Sequence, residues 1–97
     1  MFVHTVQFTW KPGITEADLA GIREALSALP GQIPEIKHYI FGSDAGMVQG
    51  NFDFAIVAQF DNVDDWRVYN DHPVHDAVRK NVLGPHIAQR AAVQFQA

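Results

Sequence analysis

The sequence predicts an α+β sandwich: one four-stranded antiparallel sheet with helices on one face, in the order βαββαβ. Three observations predict it. Residues 2–10 and 52–60 alternate with a period of two, as strands with one buried face do. Leu19, Ile22, Leu26 and Leu29 recur at spacings of three and four, the apolar stripe of an amphipathic helix. A second helical stretch, broken at a proline, separates a third strand from a fourth, so the two halves of the chain share one order of elements.

In the first strand Phe2, His4, Val6, Phe8 and Trp10 share one face, and Val3, Thr5, Gln7 and Thr9 share the other. Lys11-Pro12-Gly13 ends it. Thr15 reads as the N-cap of the first helix, with Glu16 and Asp18 complementing the helix dipole in its first turn. Pro30-Gly31 is expected to stop that helix. Ile36–Phe41 reads as the second strand, with Ile36, His38 and Ile40 on one face and Lys37, Tyr39 and Phe41 on the other. The glycine-rich segment 42–51 reads as a loop.

The third strand, 52–60, places Phe52, Phe54, Ile56, Ala58 and Phe60 on one apolar face. Asp61 and Asn62 are positioned to cap a short helix carrying Val63, Trp66 and Tyr69 at spacings of three. Pro73 opens a further helix marked by Val74, Val78 and Val82, and Gly84-Pro85 ends it. Residues 87–96 form the last strand, with Val93 and Phe95 on one side. Split βαβ units in this order build a ferredoxin-like sandwich. At 97 residues the chain makes one domain over residues 1–97.

Composition narrows the function classes. There is no cysteine, so there is no disulfide framework, thiolate metal site or thiol nucleophile. That suits a cytoplasmic location, and the Met1-Phe2-Val3-His4-Thr5 start has no basic or long apolar stretch of a secretory signal. The longest aliphatic run, Ala55–Ala58, is far too short to span a membrane. Net charge is −4 with 7 scattered basic residues, which leaves no basic face for nucleic acid. Helices on one sheet face leave the other, with Val3, Thr5, Gln7, Tyr39, Phe41, Ala55, Val57 and Gln59, half apolar. A second copy of the sheet is the expected cover, giving a homodimer.

Chemistry concentrates in Tyr69-Asn70-Asp71-His72-Pro73-Val74-His75. Asp71 or His72 stands at the cap position before Pro73, and His75 falls in the first turn, where the helix dipole disfavours its protonation. A neutral imidazole is what a general base needs near pH 7. The break at His72-Pro73 turns Tyr69 back towards His75. His4, on the apolar face of the first strand, reaches the same layer. The expected site is an apolar pocket lined by Phe2, Val6, Phe54, Ile56 and Trp66, with His72 at its edge and Tyr69, His75 and His4 as the catalytic groups. Proton abstraction beside a carbonyl, with Tyr69 donating to the oxyanion, is the mechanism these groups suit. His72 and His75 have the spacing of a helical metal pair, but further ligands are not evident, so no metal is expected.

The chain resembles the stress-responsive A/B barrel (Dabb) domains of the dimeric α+β barrel superfamily. The matching pieces are His4, Trp10-Lys11-Pro12-Gly13, Ile56-Val57-Ala58-Gln59-Phe60 and Tyr69-x-x-His72-Pro73-x-His75. The resemblance covers essentially the whole chain and implies a protomer whose sheet faces that of a second copy in a barrel. In family members of the olivetolic acid cyclase type, a polyketide is closed by an aldol reaction. Their catalytic tyrosine and histidine match Tyr69 and His75, and a first-strand histidine matches His4. They carry a further histidine in the third strand, where this chain has Phe54. The resemblance thus implies a small apolar, aromatic or polyketide-like ligand, no cofactor, and cyclase or isomerase acid–base chemistry. The alternatives are a cofactor-independent monooxygenase of the same superfamily and a non-catalytic stability or interaction protein.

Overall fold

The computed structural model describes residues 1–97. The elements are β1 (Phe2–Trp10), α1 (Glu16–Gln32), β2 (His38–Ser43), β3 (Phe54–Phe60), α2 (Val63–Asp71), α3 (Pro73–Val78) and β4 (Ile87–Gln96). A π-turn over Arg79–Leu83 and a 3-10 turn over Gly84–His86 join α3 to β4. The four strands form one antiparallel sheet in the order β2-β3-β1-β4, the ferredoxin-like arrangement the pattern predicts. No helix is long and apolar enough to cross a membrane.

The two central strands carry the core. Val6 and Phe8 of β1 and Phe54, Ile56, Ala58 and Phe60 of β3 are buried against Ile22, Leu26 and Leu29 of α1. The expected faces of both strands hold, and each buried Leu, Ile or Phe of this layer contributes roughly 1.5–3 kcal/mol of apolar burial. α1 starts as predicted. Thr15 Oγ1 accepts the Asp18 N–H at 3.1 Å, and the Asp18 carboxylate accepts the Thr15 N–H at 3.0 Å.

Three elements before α2 have boundaries that differ from the sequence reading. α1 runs through Pro30 to Gln32 instead of stopping at Pro30-Gly31. Ile33, fully buried, donates its N–H to the Leu29 carbonyl at 2.9 Å, and that anchor holds the extra turn. β3 begins at Phe54, not Phe52, because Asp53 leaves the ladder to bond β1: its N–H reaches the Phe8 carbonyl and its carboxylate takes the Trp10 N–H. β2 runs from His38 to Ser43, not from Ile36 to Phe41.

The β2 difference has consequences. Ile36 is buried from the turn before the strand, so its burial does not report which face its parity mates occupy. In the register, Tyr39 pairs with Ala58 and Phe41 with Ile56, which puts both aromatics on the helix side. Ile40, paired with Val57, is on the open side and 52% exposed. Tyr39 and Phe41 are therefore not part of the uncovered face, and Ile40 takes their place. A strand read one residue out of step inverts every side chain in this way. On β4, Val93 pairs with Thr5 and Phe95 with Val3, extending the open face with two exposed apolar groups.

Candidate functional site

α2 and α3 meet at the predicted corner. Asn62 caps α2, its Oδ1 accepting the Asp65 N–H at 2.9 Å. His72, in an extended conformation, ends α2 and caps α3: its Nδ1 accepts the Val74 N–H at 3.1 Å, and Pro73 takes the first helical position. His72 is thus a structural cap. The turn lays the His75 imidazole on the Tyr69 ring, with centroids 4.1 Å apart. His4 comes up from β1 to 6.4 Å from Tyr69, centroid to centroid.

These three residues line one cavity of about 100 Å³ between the sheet and the second helical region. Its apolar wall is Val6, Phe8, Leu26, Ile56, Leu83 and Ile87, and its polar groups are His4, Tyr39, Tyr69, Asn70, His75, Arg79 and Arg90. Of the residues expected to line it, Val6 and Ile56 do so. Phe2, Phe54, Trp66 and His72 do not. Phe2 and Trp66 pack against each other on the far side of His4, and Phe54 is closed off beneath Trp10 and Phe41. Tyr39 was hidden by the inverted reading of β2. Arg90 carries no local signal: only its register opposite Phe8 brings it to the helix side. Arg79 and Leu83 lie on the π-turn, where the helical period that placed Val82 fails. That turn needs Gly84, since a Cβ there would stand 2.8 Å from the Arg79 carbonyl oxygen.

A broader depression of about 540 Å³ lies over the open sheet face, between Gln7, Ala55 and the 44–53 loop. Its one ionisable lining group, Asp44, is occupied by the Gly46 N–H and the Asn51 amide. The larger space therefore lacks the chemistry of the smaller one.

Hydrogen bonds fix the proton positions in the small cavity. His75 Nδ1 lies 3.3 Å from the Asn70 carbonyl oxygen. A carbonyl only accepts, so Nδ1 carries the proton and Nε2 keeps its lone pair. His4 has the opposite arrangement. The Gln94 amide nitrogen, 2.9 Å from His4 Nδ1, only donates, so Nδ1 accepts and Nε2 carries the proton. Burial, ahead of the fields of Arg90 and His75, pushes the His4 pKa down to about 4. Burial also lowers the His75 pKa, against the stabilising bond to Asn70; the helix dipole is not needed. Tyr39 and Tyr69 share a hydroxyl–hydroxyl bond of 3.1 Å, and burial raises both above the usual phenol range. Two hydroxyls with one bond between them leave one O–H to donate elsewhere.

The sequence pattern of the Stress responsive A/B Barrel Domain matches residues 2–97. The chain belongs to that family. Among solved structures, this A/B barrel domain is similar to a dimeric ferredoxin-like protein of unknown function from Thermobifida fusca YX. The two are 43% identical over 99% of this chain and 90% of that one, with a TM-score of 0.91. A dimeric ferredoxin-like protein of unknown function from Bacteroides fragilis NCTC 9343 is 29% identical, over 99% of this domain and 95% of that chain, with a TM-score of 0.84. The hydroxynitrile lyase of Passiflora edulis shares the fold, with a TM-score of 0.85 at 19% identity over 97% and 90% of the two chains. No curated protein sequence matches the domain.

Proposed function

We propose that this A/B barrel domain is a homodimer that binds a small, largely apolar molecule in the helix–sheet cavity and moves protons on it. The chemistry is of the isomerase or cyclase type. One observation carries the reading: a bare imidazole nitrogen on His75 and proton donors on His4 and the Tyr39–Tyr69 pair line the same buried, mostly apolar cavity. Base and donors that stay neutral near pH 7 suit abstraction of a proton from carbon beside a carbonyl. His75 Nε2 takes that proton, and the Asn70 carbonyl steadies the imidazolium that forms. The enolate oxygen accepts from His4 Nε2–H and from the free phenol proton. The imidazolium then returns its proton, to another carbon in an isomerisation or to the new alkoxide in an aldol closure. A lyase on the same fold in Passiflora edulis is compatible with such proton traffic.

The test is a panel of small carbonyl compounds incubated with the protein in D₂O and followed by proton NMR. Accelerated loss of the signal beside the carbonyl supports the reading; exchange no faster than in buffer across the panel contradicts it.

Homodimerisation rests on the open sheet face and on the dimeric relatives. Ile40, Val93 and Phe95 are 52%, 64% and 48% exposed there, beside the half-buried Val57. The similar proteins from Thermobifida fusca and Bacteroides fragilis are dimeric. Val57→Lys, at the centre of that face, is expected to convert the dimer to a monomer in sedimentation velocity, because a lysine buried without a partner costs several kcal/mol. A wild-type monomer at micromolar concentration, or an unchanged dimer in the variant, would contradict the interface.

A further inference from the structure

The charge around the cavity is lopsided. Of 11 acidic side chains in a chain of net charge −4, none lines it, while two of the 7 basic ones, Arg79 and Arg90, do. Arg79 is paired with Asp76 at 2.7 Å, a carboxylate it shares with Lys80. Arg23, Lys37, Arg67 and Lys80 also hold carboxylates, on Glu16, Asp61, Asp64 and Asp76. Only Lys11 and Arg90 are left without an acidic partner, and Arg90 is the one at the cavity. It stands on the helix side of edge strand β4, opposite Phe8, and its charge is felt at His4.

An unpaired guanidinium is a ready two-pronged site for a carboxylate. The remaining wall is apolar, and about 100 Å³ admits only a small body; a cavity of about 150 Å³ holds one benzene ring. We infer that the natural ligand of this cavity is a small organic carboxylate, its acid group held by the Arg90 guanidinium at the rim and its apolar part seated between Val6, Ile56 and Leu83. This rests on the reading of the cavity as a small-molecule site and adds the ligand's chemical class. A single free fork facing an apolar wall suits one carboxylate on a hydrocarbon body better than a phosphate, whose greater charge calls for several donors. Arg90 is then a positioning residue: it fixes one end of the ligand so that the atoms near His75 are presented to Nε2.

The test uses isobutyrate and its neutral counterpart isobutyramide as probes, small enough for the cavity, titrated into the protein and followed by amide chemical shifts of the cavity residues. Isobutyrate is expected to bind about tenfold or more tighter than isobutyramide, the size of a charge-assisted pair. Arg90→Gln is expected to remove that preference, so that isobutyrate binds no tighter than isobutyramide. Arg90→Lys should keep part of the preference, and Lys37→Gln, which removes the same charge elsewhere, should keep all of it. Arg90 is an exposed edge-strand residue, so the variants fold, and the amide spectrum reports that directly. Equal binding of the two probes, or an isobutyrate preference that survives Arg90→Gln, overturns the carboxylate proposal while the cavity reading stands. Failure of both probes to shift cavity resonances overturns the cavity reading and the proposal with it.

Discussion

Replacing His75 by alanine is expected to slow carbon–hydrogen exchange beside a substrate carbonyl by about 10²–10⁴-fold, the usual contribution of a positioned general base. No other group at the cavity can substitute. His4 Nδ1 is occupied by Gln94 and its Nε2 bears a proton; the phenols stay protonated; the arginines have no lone pair to offer. The fold should survive, because α3 contributes no fully buried residue. Alanine does open space beside the Tyr69 ring, which lies 4.1 Å from the imidazole, so His75→Gln is the partner variant. It keeps much of the volume but has no basic nitrogen. Exchange rates measured by proton NMR in D₂O should fall alike in both. A rate within about threefold of wild type in either variant would place the base elsewhere, since loss of a general base costs far more than that.

The second large effect is on stability against pH. His4 is 7% exposed, and its pKa falls from 6.5 to about 4 on folding. Below 6.5 the unfolded chain therefore takes up a proton that the folded chain refuses. The contribution is complete above pH 6.5 and is lost as pH falls towards about 4. Two and a half units at about 1.4 kcal/mol each give a loss of roughly 3 kcal/mol. The lowered His75 pKa works in the same direction and the same range. The lowered pKa values of Asp18 and Asp76 act only as pH drops towards and below the ordinary carboxyl value of 3.8, so they leave this window nearly unchanged. Urea unfolding at about pH 7 and about pH 4.5 should show most of this loss in the wild type and clearly less in His4→Gln, which carries no titrating group. Equal losses in the two proteins would show that His4 is not the acid-sensitive group.

The fold was legible because β1 and β3, the central strands, alternate cleanly and α1 carries an unbroken Leu/Ile stripe. Those patterns are dictated by burial on one side and survive without tertiary information. The edge strand β2 is not legible in this way, because Ile36, an apolar residue in the preceding turn, is buried from outside the strand and its parity does not extend to Tyr39 and Phe41. The π-turn at Arg79–Leu83 was invisible for a related reason: its spacing belongs to neither the helical nor the strand period.

The site divides in the same way. Tyr69, His75 and His4 were legible because a local corner, capped by His72 and started by Pro73, and a clean strand alternation place them. Phe2, Phe54 and Trp66 were misplaced because a shared sheet face does not say which part of that face stays open; Trp66 covers the other flank of His4. Tyr39, Arg79 and Arg90 reach the cavity through strand register and an irregular turn, so no spacing in the chain marks them.

The chemistry depends most on where two protons sit. Nitrogen-15 NMR of the imidazole rings near neutral pH reads this without any substrate. His75 is expected to be neutral with its proton on Nδ1 and a bare Nε2, and His4 to be neutral with its proton on Nε2. A charged His75, or one carrying its proton on Nε2, would leave the cavity without a base and contradict the proposed function.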